Sequence, residues 1–253
     1  MTTTFLPPAL ANPTQLDATL LAQGYAVLSP GIFAQLAGVD LALLNDFKPQ
    51  WNDLPPDTYL KDGGRYRRRR HSCFVVDAKQ VTQVAHRAHW QPVEYNALHG
   101  GMQRWFEPML PSMVAQTAWR QLLVWLGEVA SQNKSAQPWF VEAHQFRIDT
   151  TDGIGRPTPE GAHRDGVELV AVFMVERAGI KGGETRVFDA AGPNGQRFTL
   201  TQSWSLLLLD DARVIHESTP IQPAGQAGEV GETGHRDTLV VTLRRDGFQG
   251  QAG

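Results

Sequence analysis

Apolar residues along this chain follow two regimes. Up to about residue 135 they recur at helical spacing. Leu16, Leu20 and Leu21 form a short stripe that Gly24 ends, and a second helix is predicted over 31–47, with Phe33, Leu36, Leu43 and Leu44 on its apolar side. Tyr25 to Leu28, between them, reads as a brief strand. The Pro-, Asp- and Gly-rich stretch 50–64 predicts a loop. The clearest helix spans 112–131, where Ala115, Ala118, Trp119, Leu122, Trp125, Leu126 and Val129 repeat. It is too apolar for a free surface helix, so it is expected to pack across a sheet.

Beyond residue 137 the pattern shortens to strands separated by turn residues. Strands are predicted at 139–148, 167–175, 185–189, 196–200, 204–209, 214–217 and 237–245. Leu169 to Val175 is continuously apolar, as in a strand covered on both faces. Helices therefore come first and a β-rich body follows. This order predicts a mainly β protein with helices packed on one outer face of a sandwich or barrel. We find no internal repeat and expect one domain over 1–253, with a mostly helical part over 1–135 and a β core over 136–246. The Gly-rich stretch 224–234 is read as a surface loop and 247–253 as a frayed tail.

Composition narrows the function classes. With 253 residues, 42% of them hydrophobic, the chain can build a sizeable core. A formal net charge of −3 supplies no global basic field for nucleic acid. The single cysteine, Cys73, excludes an internal disulfide and fits a reducing compartment. The N-terminus lacks the charged and apolar regions of a signal peptide, and no apolar run approaches the roughly 20 residues of a membrane helix. These features predict a cytoplasmic protein without a membrane partner. The run Arg65-Tyr66-Arg67-Arg68-Arg69-Arg70-His71 is too short to overturn the reading against nucleic acid. His71, His86, His89, His99, His144 and His235 read as ordinary structural or surface histidines.

The chemistry concentrates in His163-Arg164-Asp165 and, well downstream, His216. In an extended segment, residues two apart point to one side, so His163 and Asp165 can face one point. His216, in a short apolar strand after the turn Asp210-Asp211, can complete a two-histidine, one-carboxylate facial set. Such a set leaves adjacent metal positions open and suits Fe(II). The last predicted strand has two faces. Leu239, Val241 and Leu243 form a packing face, and Arg236, Thr238, Val240, Thr242 and Arg244 a face able to line a polar cavity. One Arg of that face, Arg236 or Arg244, can clamp a carboxylate with paired hydrogen bonds. A zinc hydrolase or isomerase on a cupin-like barrel, or a non-catalytic binding protein of the same fold, would also accommodate the three ligands.

Several stretches together resemble the 2-oxoglutarate/Fe(II) dioxygenase superfamily, in particular the bacterial group of free L-amino-acid (L-isoleucine-type) hydroxylases and BsmA-like proteins. They are His163-Arg164-Asp165-Gly166, Gly182-Gly183-Glu184-Thr185, the run from Leu209 to His216, Arg236-Asp237-Thr238-Leu239-Val240, Arg65-Tyr66-Arg67-Arg68 and Gly24-Tyr25-Ala26-Val27-Leu28. The resemblance implies a double-stranded β-helix (jelly-roll, cupin-like) core, with Fe(II) at His163, Asp165 and His216 and 2-oxoglutarate at Arg236. It implies O2 as co-reactant, with ascorbate as a supporting reductant. Gln145 and Arg147, together on one face of the preceding strand, and Thr238 beside Arg236, are assigned secondary roles at the cosubstrate. Arg65 or Arg67, on one side of Tyr66, is expected to bind a substrate carboxylate. The expected reaction is hydroxylation or sulfoxidation of a small substrate, a free L-amino acid.

Overall fold

In the computed structural model, residues 5–135, 138–225 and 233–250 are described. Most of the predicted 224–234 loop, and the end of the predicted tail, lie outside them. The N-terminal helices are α1 (Leu16–Gln23), α2 (Pro30–Ala37) and α3 (Leu41–Asn45), followed by α4 (Pro111–Val114) and the long α5 (Thr117–Lys134). The single helix expected over 31–47 is thus two. Gly38 closes α2 in the left-handed conformation at φ 63°, and the Asp40 side chain caps α3 by accepting from the Ala42 N–H. Leu43, expected on the apolar side, is exposed, whereas Leu44 is fully buried.

The strands are β1 (Tyr25–Leu28), β2 (Arg67–Asp77), β3 (Gln80–Gln83), β4 (Trp139–Asp149), β5 (Leu169–Ala178), β6 (Ile180–Gly182), β7 (Thr185–Asp189), β8 (Gly195–Phe198), β9 (Ser205–Asp210), β10 (Val214–Ser218), β11 (Ile221–Pro223) and β12 (His235–Arg244). Seven of them form one antiparallel sheet in the order β1-β9-β5-β12-β4-β2-β3. A three-stranded sheet, β10-β7-β8, and the pair β11-β6 make up the rest. The N-terminal part is therefore less helical than expected. It supplies three strands of the large sheet, including the eleven-residue β2 that the arginine run conceals.

Residue parity decides what each strand faces. Toward the helices point Val141 and Ala143 of β4, Ala171, Phe173 and Val175 of β5, Leu206 and Leu208 of β9, and Leu239 and Val241 of β12. Helix α5 lies against this face. Phe33 of α2 meets both Trp125 of α5, at 5.5 Å, and Phe173 of β5, at 5.1 Å. Leu122, Leu123 and Leu126 are fully buried, each contributing roughly 1.5–3 kcal/mol relative to exposure. On the opposite face, Val170 and Met174 of β5 and Leu207 and Leu209 of β9 pack against Val187, Phe198 and Val214 of the small sheet. Strand β5 is apolar from Leu169 to Val175 because it has a core on each side. Toward the β12-β4-β2 side the same face is lined by polar and charged groups around a cavity. Trp51 pins this region from beneath, its indole N–H donating to the Phe146 and Thr238 carbonyls at 3.1 and 3.2 Å.

Candidate metal centre and active-site cavity

His163 and His216 are brought opposite each other by a two-way backbone bridge. Each N–H donates to the other's carbonyl, at 3.0 and 2.9 Å. Asp165 follows on a turn held by Asp211. The Asp211 carboxylate accepts the backbone N–H groups of Asp165, Gly166 and Val167 at 2.9, 2.7 and 3.2 Å. Gly166, at φ 75°, makes the turn and leaves no room for a Cβ, which would fall 2.5 Å from the Tyr95 ring. As a result His163, Asp165 and His216 each offer a ligand atom, all within 4.8 Å of one another.

These atoms do not satisfy each other. Nε2 of His163 is 3.9 Å, and Nε2 of His216 3.8 Å, from an Asp165 oxygen, both too far for a hydrogen bond. His163 donates from Nδ1 to the Gly161 carbonyl at 2.9 Å, which fixes the ring and frees Nε2 as a donor atom. Neither ring nitrogen of the buried His216 has a hydrogen-bond partner among the described residues, and its Nδ1 is fully enclosed. Two imidazoles, one carboxylate and no thiolate fit Fe(II), and a cation at their meeting point would complete all three. Gln91 donates to Asp165 Oδ1 at 3.2 Å, so the carboxylate is oriented by a neutral partner.

The local pKa values show the strain of leaving these groups together. Burial raises Asp165, only partly offset by His163 and Gln91. Burial and the Asp165 charge push Asp211 up to about 7. Burial pushes His216 well down. His163 is raised, because the Asp165 and Glu160 carboxylates and the Gly161 carbonyl together outweigh burial.

The three residues border a cavity of about 1090 Å³, its open mouth included. The face of β12 carrying Arg236, Thr238, Val240, Thr242 and Arg244 lines it, as the alternation predicts. Arg236 is 4% exposed, its Nε is buried without a partner, and no carboxylate of the described residues pairs with it. Burial lowers its pKa to about 10, so it remains a cation. Arg67 also borders the cavity.

Three expected residues do not. Gln145 and Arg147 sit on the other face of β4, since Trp139, Val141 and Ala143 set the odd positions toward the helices. Arg147 is committed to Asp237, at 2.6 and 2.8 Å. Arg65 precedes β2, with its side chain 78% exposed and bound to Asp152 at 2.7 Å. The even positions of β4, among them Glu142, His144 and Phe146, reach the cavity instead. Arg69, His89, Gln91, Arg104 and Glu160 also line it, although the sequence singled out none of them for a role there. Glu142 accepts from His71 at 2.8 Å and His89 at 2.6 Å, and Arg69 contacts His144 Nδ1 at 2.7 Å.

The sequence profile of the 2OG-Fe dioxygenases matches residues 48–242. The chain belongs to the 2OG-Fe dioxygenase family. The dioxygenase is 50% identical to a BsmA homologue from Methylobium petroleophilum PM1, with a TM-score of 0.90 over 99% of this chain and 100% of that one. Its fold is also like that of IDO from Bacillus thuringiensis, at 16% identity and TM-score 0.74, covering 96% and 100% of the two chains. The Fe(II)/α-ketoglutarate-dependent dioxygenase TqaL matches at 19% identity and TM-score 0.68, over 92% and 87%. No match to a curated protein is found. The facing sheets are thus the jelly-roll core of a 2-oxoglutarate-dependent oxygenase, whose cofactors are Fe(II), 2-oxoglutarate and O2. Among the described residues, no helix is long and apolar enough to cross a membrane.

Proposed function

We propose that this dioxygenase holds Fe(II) through His163, Asp165 and His216, binds 2-oxoglutarate through Arg236 and Thr238, and oxidises a free L-amino acid. The observation that carries this reading is the pairing of two unmet demands in one cavity. Three converging ligand atoms lack a cation, and a buried guanidinium lacks an anion. A 2-oxoacid with a second carboxylate answers both, one end at the metal and the other at Arg236. When bound, Fe(II) with 2-oxoglutarate and O2 supplies the oxidising chemistry, in which the cosubstrate leaves as succinate and CO2 and one oxygen atom enters the substrate.

The chain's own groups do the positioning. Arg236 clamps the distal carboxylate with charged hydrogen bonds. Thr238, one step along the same face, adds a hydroxyl beside it. Gln91 and Asp211 hold Asp165 and its turn in place. Arg67, at the cavity wall, is the candidate for a substrate carboxylate.

The test is succinate formation from 2-oxoglutarate, with Fe(II) and ascorbate, against a panel of free L-amino acids. Amino-acid-stimulated succinate is expected to disappear in His163→Ala. In Arg236→Met, binding of 2-oxoglutarate should weaken roughly 10- to 100-fold, the range for losing hydrogen bonds to a charged group. A protein that binds neither iron nor 2-oxoglutarate would sink this assignment of the site. Turnover stimulated only by other substrates would sink the amino-acid reading alone.

A further inference from the structure

The cavity carries two charged poles that neither the metal triad nor Arg236 uses. The first is cationic and is built by Arg67, Arg69 and Arg104, all at most 5% exposed. Arg67 donates to Asp57 at 2.7 Å, and Arg69 lies 3.8 Å from the same carboxylate. Arg69 is also sandwiched between the Phe106 and Phe146 rings, at 3.8 and 4.3 Å. Arg104 differs from both. Its side-chain partner is the neutral Gln91 oxygen at 3.0 Å, and no carboxylate of the described residues is within ion-pair distance. Arg104 Nε, Arg67 Nη2 and Arg69 Nε are all buried without an acceptor. Guanidinium groups removed from water and left partly unpaired are poised for an anion.

The second pole is Glu160, on the loop before His163. Its side chain is 10% exposed, one oxygen is 3.6 Å from His163 Nε2, and Oε2 is buried without a donor. It lines the same cavity as Arg104 and lies against the metal triad through His163.

The nearby cluster of His71, His89, Glu142 and His144 serves the first pole rather than a second metal. Glu142 already accepts from two of its histidines, and Arg69 contacts the third, so a cation there would face a guanidinium. In the buried wall, three guanidinium groups are set against the carboxylates of Asp57, Glu142 and Glu160. A wall so balanced favours a ligand with separated charges and no net charge over a simple anion.

We propose that Arg104, supported by Arg67, and Glu160 form the recognition subsite for an α-amino acid, the guanidinium groups taking its carboxylate and Glu160 its ammonium. This rests on the cofactor assignment above and adds what that assignment leaves open. With its ammonium at Glu160, the substrate's Cα lies beside the metal triad, so the oxidised bond is within a few bonds of Cα. A peptide, whose interior residues offer neither charge, is excluded except through its termini.

The test uses protein loaded with Fe(II) and N-oxalylglycine, an unreactive analogue of 2-oxoglutarate, without oxygen. Binding of each L-amino acid is measured by calorimetry beside its amide, which lacks the carboxylate, and its α-hydroxy acid, which lacks the ammonium. Both analogues should bind roughly 10- to 100-fold more weakly than the amino acid. Arg104→Gln should abolish the preference over the amide and keep the preference over the hydroxy acid. Glu160→Gln should do the reverse, and Arg104→Lys should restore part of the loss. Equal binding of amino acid and amide to the wild type would overturn the proposal. So would a Glu160→Gln variant that loses Fe(II) affinity but keeps its ammonium preference, because Glu160 would then serve the metal. Repeating the panel without iron reads the two poles even if the cofactor assignment fails. Failure of every amino acid in a protein that binds iron and the analogue overturns this subsite and the amino-acid reading with it, and leaves the cofactor assignment standing.

Discussion

His89 gives a quantitative handle on how this cavity is held. Its Nδ1 lies 2.6 Å from Glu142 Oε2, yet burial drives its pKa down to about 3, the Glu142 charge notwithstanding. In the unfolded chain a histidine titrates near 6.5. The folded value lies below the unfolded one, so the unfolded chain takes the proton first. The stability is fully present above about pH 6.5 and is lost as the pH falls toward the folded value. Once the unfolded chain is protonated, the loss is about 1.4 kcal/mol per pH unit, or about 2 kcal/mol between pH 7 and pH 5. His144 and His71 are also pushed down by burial and act in the same sense. The perturbation is His89→Gln, whose amide still donates to Glu142 but does not titrate. Urea-unfolding free energies would be measured at several pH values between 7 and 5, with a chelator present. The variant should lose about 2 kcal/mol less than the wild type over that range. His163, raised in the folded protein, acts in the opposite sense, but equally in both proteins, so it cancels from the difference. Parallel pH dependences would refute the reasoning, because they would mean that Glu142 offsets burial and His89 titrates as in the unfolded chain; a wild type that loses less than the variant would mean that Glu142 keeps His89 charged in the fold.

Two further outcomes follow from the groups around Asp165. Gln91→Ala removes the side chain that donates to Asp165 Oδ1 and should weaken Fe(II) binding roughly 10- to 100-fold in a metal titration; an unchanged affinity would show that Asp165 needs no orientation. Asp211→Asn replaces one of two accepting oxygens with a donor, beneath three backbone N–H groups. It should cost roughly 1–3 kcal/mol in urea unfolding and weaken iron binding as well, and loss of stability without loss of iron affinity would separate the turn from the metal site.

The sequence carried the fold's alternation better than its pairings. Strand β7 falls where the turn residues place it, and the packing and cavity faces of β12 follow from alternation alone. The same alternation contained the correction for β4. Trp139, Val141 and Ala143 mark the odd positions as core, which carries Gln145 and Arg147 away from the cavity and turns Glu142 and His144 toward it. The arginine run misled because its strand begins at Arg67, so Arg67 and Arg69 turn inward while Arg65 remains outside. Gln91 and Arg104 had no periodic signal at all. They lie in an irregular segment whose shape is set by one non-local bridge, His89 with Arg104, and by turns around Asn96. Glu160 likewise sits on a loop, where composition says nothing of what it meets.

The distribution of unmet polar groups ties these observations to function. A folded protein seldom leaves buried polar atoms unpaired, because each loses its hydration without replacement. Here His216 Nε2, without a hydrogen-bond partner among the described residues, and Arg236 Nε belong to the metal triad and the carboxylate clamp, and Arg67, Arg69, Arg104 and Glu160 contribute orphaned atoms at the charged poles. These residues all line the same cavity, while other such atoms, on Arg70, His71, Arg87, His99, Trp119, Gln145 and Arg177, lie off its wall. None of the cavity's deficits can be met by packing, since apolar neighbours replace no hydrogen bond. They can be met by a cation among three ligands, an anion at Arg236 and a dipolar ligand between Arg104 and Glu160. The fold can carry that cost because the opposite face of the same sheet, covered by α5 and its neighbours, is a continuous apolar core. Site and scaffold are thus the two parities of the same strands, and a change that moved β4 or β12 by one residue would exchange them.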